Sequence, residues 1–298
     1  MSATPIYDIT NEPYYNYFIR NGYKYLGYGY MHIVFEKDNV VYKLVRSKFK
    51  KFDKKYDYEF ERDNLDFLRK YGISTPKIIK IYDAGELVDD YIVLAEEKLK
   101  GIVKNEKTLN VQNVKEIISF QEKTHSHTMP FFGQLYDKNL QFGSWNEYLS
   151  YITERAQKAS VLFQIPFNVN EIEKFFSVEY QYTDLSRYMI LDPNEENFIF
   201  DEADKLVGVI DIDHPVGFDP LYELSVCLYA KKYIFEMMRN LKRDYFNNFI
   251  EVIKMYARVH SLADILFLYD KNKNLFKREI EACAKNVGEF QAFLNDYK

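Results

Sequence analysis

The dominant spacing of apolar residues shifts near Gly101 from strand-like to helical, and that shift constrains the fold more than any other feature. Before it, short β-branched and alternating runs dominate. The runs MHIVFEK and NVVYKLV meet at Lys37-Asp38-Asn39, which is a hairpin signal. Residues 56–70, YDYEFERDNLDFLRK, switch to helical spacing through Phe60, Leu65 and Leu68, and Gly72 supplies a stop. Residues 76–81 and 91–94 return to strand character. Beyond Gly101 the pattern is helical over residues 111–124, residues 145–159 and everything from Pro220 onward. A short β patch interrupts it at residues 189–191, 197–200 and 206–210. This order predicts a two-lobed α+β chain: a small antiparallel sheet with one helix over residues 1–100, then a larger, mainly helical lobe over residues 101–298. No internal repeat or low-complexity linker separates the two.

Composition excludes several classes. The chain has 298 residues, 47% of them hydrophobic and 29% charged, which is enough apolar material for a folded core rather than a disordered chain. A formal net charge of -5 argues against a nucleic-acid footprint. The densest basic run, from Arg46 to Lys55, reads as a solvated loop. Two cysteines, Cys227 and Cys283, and five scattered histidines give neither a disulfide framework nor a zinc-ligand spacing. No basic segment followed by an apolar stretch opens the chain, and no apolar run is long enough to cross a bilayer. A cytoplasmic setting is therefore expected, with no membrane and no nucleic acid as partner.

The chemistry concentrates in Leu191-Asp192-Pro193-Asn194-Glu195-Glu196-Asn197-Phe198, followed by Val209-Ile210-Asp211-Ile212-Asp213. An Asp ends one short strand, an Asn follows five residues later, and a hairpin ends in a second Asp. Phosphoryl transfer needs such groups: one carboxylate to orient an acceptor hydroxyl and take its proton, and an Asn oxygen with another carboxylate to hold Mg²⁺. Asp219-Pro220 reads as a helix N-cap with Pro at the first helical position.

At these residues the sequence resembles the aminoglycoside phosphotransferase and choline kinase superfamily, which has the protein-kinase-like fold. That family carries His-Gly-Asp, four residues and Asn, then a hydrophobic strand ending in Ile-Asp, then Gly-Asp-Pro-Leu-Tyr-Asp-Leu. Here the last element is Phe218-Asp219-Pro220-Leu221-Tyr222-Glu223-Leu224. The resemblance covers residues 23–228. It implies a small-molecule kinase that uses ATP or GTP with Mg²⁺ to phosphorylate a hydroxyl of a small acceptor such as an aminoglycoside, sugar or amino alcohol.

The resemblance also implies roles residue by residue. Asp192 is the catalytic base, and Asn197 and Asp211 are the metal ligands. Gly27 and Gly29, in Tyr25-Leu26-Gly27-Tyr28-Gly29, look like the glycine-rich nucleotide loop, with His32 where a third glycine falls. Lys43 resembles the strand lysine that binds the phosphates, and its helix partner is Glu61, with Glu59 as the alternative. Leu94-Ala95-Glu96-Glu97, before Gly101, is similar to the interlobe hinge, whose backbone at Ala95 and Glu97 would bind the purine edge. Pro130–Leu135 and Gly143–Leu149 are similar to a segment of the antibiotic-phosphotransferase branch, with Ser144 capping a helix and Trp145 as its packing anchor.

One departure stands out. Two residues before Asp192 the family has His, and this chain has Ile190. The second reading is accordingly a pseudokinase that binds nucleotide without turnover. A protein kinase is disfavoured, because neither His-Arg-Asp nor Ala-Pro-Glu is present. Acids such as Glu147, Glu154, Glu179, Asp184, Glu195, Asp213 and Glu223 are available to a cationic acceptor, with solvated surface as the preferred reading for most.

Overall fold

A computed structural model describes residues 8–29, 31–191, 194–212, 215–272 and 277–297. In chain order it begins with helix α1 (Tyr15–Arg20), strands β1 (Lys24–Tyr28), β2 (His32–Lys37) and β3 (Val40–Val45), helix α2 (Lys55–Lys70), and strands β4 (Ile78–Tyr82), β5 (Val93–Glu97) and β6 (Ile102–Val103). Helix α3 (Val111–His125), strands β7 (Phe132–Gln134) and β8 (Gln141–Phe142), and helices α4 (Trp145–Phe163) and α5 (Val169–Lys174) follow. Strands β9 (Arg187–Ile190), β10 (Phe198–Phe200), β11 (Leu206–Val209) and β12 (Pro215–Phe218) precede helices α6 (Pro220–Ala230), α7 (Lys232–Leu241), α8 (Arg243–Asn272) and α9 (Lys277–Asp296). The small antiparallel sheet lies toward the N-terminus and the C-terminal part is helical. The chain divides into two compact units, one made of Met1–Ile102, Ile199–Glu202 and Val207–Asp213, the other of the remainder.

The first unit is built on an antiparallel sheet of order β1-β2-β3-β5-β4. Asp38 and Asn39 both take positive φ, 53° and 62°, so the β2–β3 hairpin closes on the tight turn their small polar side chains favour. Strand β5 starts at Val93 rather than at the expected Tyr91, because the Ile92 N–H is taken by the Asp53 carboxylate at 3.2 Å. One face of the sheet carries Ile33, Phe35 and Leu44, all fully buried. Helix α1, absent from the sequence expectation, contributes to that core: Phe18 stacks on Phe35 at 4.4 Å between ring centres, and the Tyr14 hydroxyl donates to the Val45 carbonyl at 2.9 Å. The basic run also differs from its expectation as a solvated loop. Residues Ser47–Phe52 form a 3₁₀ turn in which Phe49 is buried and the Ser47 N–H donates to Glu12 at 2.9 Å.

Gly101 is required by packing. A Cβ there would lie 2.5 Å from the Ile199 side chain and 2.6 Å from the Phe200 carbonyl oxygen, so only glycine lets the chain pass β10 this closely.

In the second unit, helices α4, α6 and α8 bury most of the core. Ser144 caps α4 in a reciprocal box with Glu147. Asp219 caps α6, accepting the Leu221 N–H at 2.9 Å, with Pro220 at the first helical position. The Asp219 carboxylate also accepts the Tyr180 and Tyr256 hydroxyls, each at 2.7 Å, and Tyr256 in turn accepts the Trp145 indole N–H at 2.9 Å. Strands β7, β8, β9 and β12 form a sheet of order β8-β7-β12-β9. Gly133 in β7 has φ of 110°, where a side chain would strike the Leu140 carbonyl. Among the described residues no helix is long and apolar enough to cross a membrane.

Candidate functional site

The first unit gathers a cation and three acids. Lys43 sits in mid-β3, where Val41 pairs with Glu96 and Lys43 pairs with Leu94. Directly paired residues of an antiparallel ladder share a face, so Lys43 and Glu96 project from the same side of the sheet. The Lys43 Nζ donates to Glu61 Oε1 of α2 at 2.7 Å and to Asp211 Oδ1 at 2.7 Å. Glu61, and not Glu59, therefore meets the lysine. Lys43 and Glu61 are buried, whereas the Asp211 side chain is 44% exposed.

Asp211 follows β11 with φ of 59°, a left-handed conformation that costs a non-glycine residue energy and that clusters at functional sites. Burial alone would lower the Lys43 ammonium, but Asp211, Glu61 and Glu96 outweigh it and hold its pKa well above the ordinary lysine value. Glu96 is the converse. Burial pushes its carboxyl up to about 8; the field of Lys43 lowers it, while Glu61 and Asp211 raise it further.

That shift has a sign that can be measured. Between the ordinary carboxylate range and about 8, the folded protein holds a proton on Glu96 that the unfolded chain has lost. Stability contributed this way is complete at low pH and declines as pH rises through the folded-state value. Glu96→Gln, which keeps the shape and removes the titration, is expected to flatten the fall in stability across this window. Denaturant midpoints of both proteins, taken at several pH values without nucleotide or divalent cation, check it; parallel curves would contradict it.

The remaining site residues are distributed as follows. Gly27 lies within β1 beside a register shift, and the Gly29 N–H donates to the His32 carbonyl at 2.9 Å. A Cβ at either glycine would meet open space, so packing within the chain does not require them. Ala95 pairs with both Tyr42 and Lys80 in the middle of the sheet. At the expected hinge, the Glu97 N–H donates to the Lys77 carbonyl at 2.9 Å, and the Lys98 N–H donates to the Asn39 carbonyl at 3.0 Å. Strand β5 thus ends at Glu97, three residues beyond the expected Leu94.

In the second unit, Asn197 ends a 3₁₀ turn (Glu195–Asn197) and is 6% exposed. Asp192 and Asp213 lie outside the described residues. Glu195 and Glu223 fall outside the solvated-surface reading preferred for most of the candidate acids. Glu195 is buried and pairs with Lys231 at 2.8 Å. Glu223 is buried against β9: its Oε1 accepts the Ile190 N–H at 3.0 Å and its Oε2 lies 2.5 Å from His125 Nε2. Sequence reasoning passed over this arrangement. The signal was a single acid inside the otherwise apolar run Pro220–Ala230, which demands a buried partner.

No family model matches the sequence, and no curated protein matches it. Solved structures do match in fold. A thermostable mutant of aminoglycoside phosphotransferase APH(4)-Ia, in ternary complex with AMP-PNP and hygromycin B, superposes with a TM-score of 0.63 at 12% identity, covering 95% of this chain and 98% of that one. A mutant aminoglycoside 2'-phosphotransferase-IIIa in complex with GDP gives 0.65 at 11% identity, covering 96% and 99%. A choline/ethanolamine kinase family protein from Mesorhizobium loti gives 0.63 at 17% identity, covering 92% and 88%. The chain has the fold shared by these aminoglycoside phosphotransferases and this choline/ethanolamine kinase family protein.

Proposed function

We infer that the protein is a small-molecule kinase, transferring the γ-phosphoryl group of ATP or GTP to a hydroxyl of a small acceptor such as an aminoglycoside, a sugar or an amino alcohol. The observation that carries this reading is the buried Lys43, held at 2.7 Å by both Glu61 and Asp211. A lysine is this costly to bury unless its charge has a use, and here it faces the half-exposed carboxylate of Asp211. In the proposed site Lys43 binds the α- and β-phosphates and Glu61 orients it. Gly27 and Gly29, bare toward open space, let backbone approach the phosphates. The purine edge is assigned to the backbone at Ala95 and Glu97, at the end of β5.

Asp211 and Asn197 offer only oxygen donors, a set that suits a hard cation such as Mg²⁺. Bound there, the ion would neutralise phosphate oxygens. Asp192 accepts the proton of the acceptor hydroxyl. The reading places the protein in the cytoplasm, where nucleotide and Mg²⁺ are abundant. Ile190, in place of the family His, favours a second reading, a pseudokinase that binds nucleotide without turnover.

A transfer screen separates the two. ATP and GTP with Mg²⁺ are offered against panels of aminoglycosides, sugars and amino alcohols, with nucleotide-induced thermal stabilisation recorded in parallel. Phosphorylated acceptor supports the kinase; stabilisation with no product from any panel supports the pseudokinase. In calorimetry, Asp211→Ala is expected to weaken Mg²⁺-dependent nucleotide affinity strongly and Asn197→Ala less, since a neutral ligand is lost. Equal affinity in all three proteins would rule out the metal assignment.

A further inference from the structure

Helix α9 carries a glycine in its interior, Gly288, and packing does not ask for one. A Cβ there would meet open space. Glycine weakens a helix interior relative to alanine, so its presence at an uncrowded position needs another reason. Gly288 lines a cavity of about 450 Å³ that α9 shares with α8 and the start of α5. Phe167 and Ile172 belong to its apolar wall, and Glu171, Arg258, Gln291 and Asn295 are among its polar groups. None of these has a part in the proposed phosphoryl transfer, and none is among the acids considered for a cationic acceptor.

Two of the polar groups are held in place without being satisfied. Gln291 is 4% exposed. Its Nε2 donates to the Arg258 carbonyl at 2.8 Å and to Ser261 Oγ at 2.9 Å. A carbonyl can only accept, so the amide nitrogen is fixed on that side. The amide oxygen, Oε1, is left over, buried and with no partner among the described residues. Arg258 is half-buried, and its Nη2 donates to Asn295 Oδ1 at 2.7 Å. Its buried Nε has no partner, and no carboxylate pairs with the guanidinium, among the described residues. Buried polar atoms are rarely left unpaired, and a molecule in the cavity would supply what both side chains lack.

We propose that this cavity is a binding site for a free α-amino acid. The carboxylate of the ligand pairs with the Arg258 guanidinium, whose planar fork suits that group. Its ammonium donates to Gln291 Oε1, and the exposed Glu171 at the rim favours a positive group there over a neutral hydroxyl. Its side chain lies toward Phe167 and Ile172. Gly288 leaves the room, and the volume falls in the range of small-molecule sites.

Calorimetry on the full chain tests it. The common α-amino acids are titrated one at a time without nucleotide, with acetate and inorganic phosphate as comparison probes. At least one amino acid is expected to bind, and Arg258→Met to weaken that binding at least about 10-fold. Gly288→Leu fills the cavity with a good helix former. It is expected to abolish binding while thermal stability stays at or above that of the wild type, which keeps the test decisive if Arg258→Met fails to fold. Silence from every amino acid overturns the proposal. So does acetate or phosphate binding as tightly as the best amino acid, because the ammonium would then have no role. Amino-acid binding that survives Gly288→Leu overturns it too, since the ligand would sit elsewhere. No phosphoryl transfer enters the measurement, so its failure and that of the kinase reading are told apart.

Discussion

Asp192→Asn is expected to lower turnover by ~10²–10⁴-fold while leaving folding and nucleotide affinity intact, because asparagine keeps the size and hydrogen-bonding capacity of the side chain but cannot take a proton. As the proposed base, Asp192 would contribute only as the acceptor hydroxyl is activated, so the loss is expected in kcat rather than in nucleotide binding. Single-turnover transfer to the best acceptor measures it, with nucleotide affinity followed separately by calorimetry. Unchanged turnover would remove Asp192 from the role. A loss confined to acceptor KM would instead make it a binding group.

Lys43→Met is the second large effect, and it acts on two quantities. In the proposed site the phosphates would lose their buried cation, and turnover is expected to fall by roughly 10²–10³-fold, the usual scale for removing one preorganised electrostatic contact. Stability should fall as well. Glu61 and Glu96 are both buried, and Lys43 is the cation whose field both feel. Removing one partner of a buried pair costs about 3–5 kcal/mol, much of it the exposure of the other charge to an apolar setting. The two consequences separate by combination: Lys43→Met with Glu61→Met should regain stability without regaining turnover. Glu61→Gln should weaken turnover less than Lys43→Met, since the lysine keeps its charge and loses only its orientation, and Glu59→Gln should be silent. Normal turnover in Lys43→Met would defeat the nucleotide-site assignment.

Much of the architecture was legible in the sequence because it rests on local periodicity and turn chemistry. The Asp38-Asn39 turn, the α2 helix ending before Gly72 and the caps at Ser144 and Asp219 each depend on a few neighbouring residues. Helix α1 was missed because its apolar face is only Tyr14 and Phe18, too short a stretch for a period to declare itself. Strand β12 was missed for a different reason. Pro215 and Gly217 are poor strand formers, and the segment pairs only because β7 and β9 flank it.

The site divides in the same way. Lys43, Asp211 and the preference for Glu61 over Glu59 came from the family resemblance, and only the helix face shows which glutamate meets the lysine. The end of β5 was misjudged because strand length is fixed by partners, here Lys77 and Asn39, which no local pattern reveals. The His125–Glu223–Ile190 chain spans residues 98 and 33 positions apart, so only the folded molecule brings it together.

The chain's one tryptophan also gives the molecule an internal optical gauge. Trp145 is buried in the second unit, its indole N–H bonded to Tyr256 and its ring edge-on to Phe176 at 5.7 Å. Emission from that indole follows the loosening of this packing and nothing in the sheet around Lys43. Far-ultraviolet dichroism, by contrast, sums over every helix and strand. If the two units melt separately, fluorescence and dichroism will trace different curves, and a ligand that grips the Lys43 sheet will move one of them and leave the other where it was.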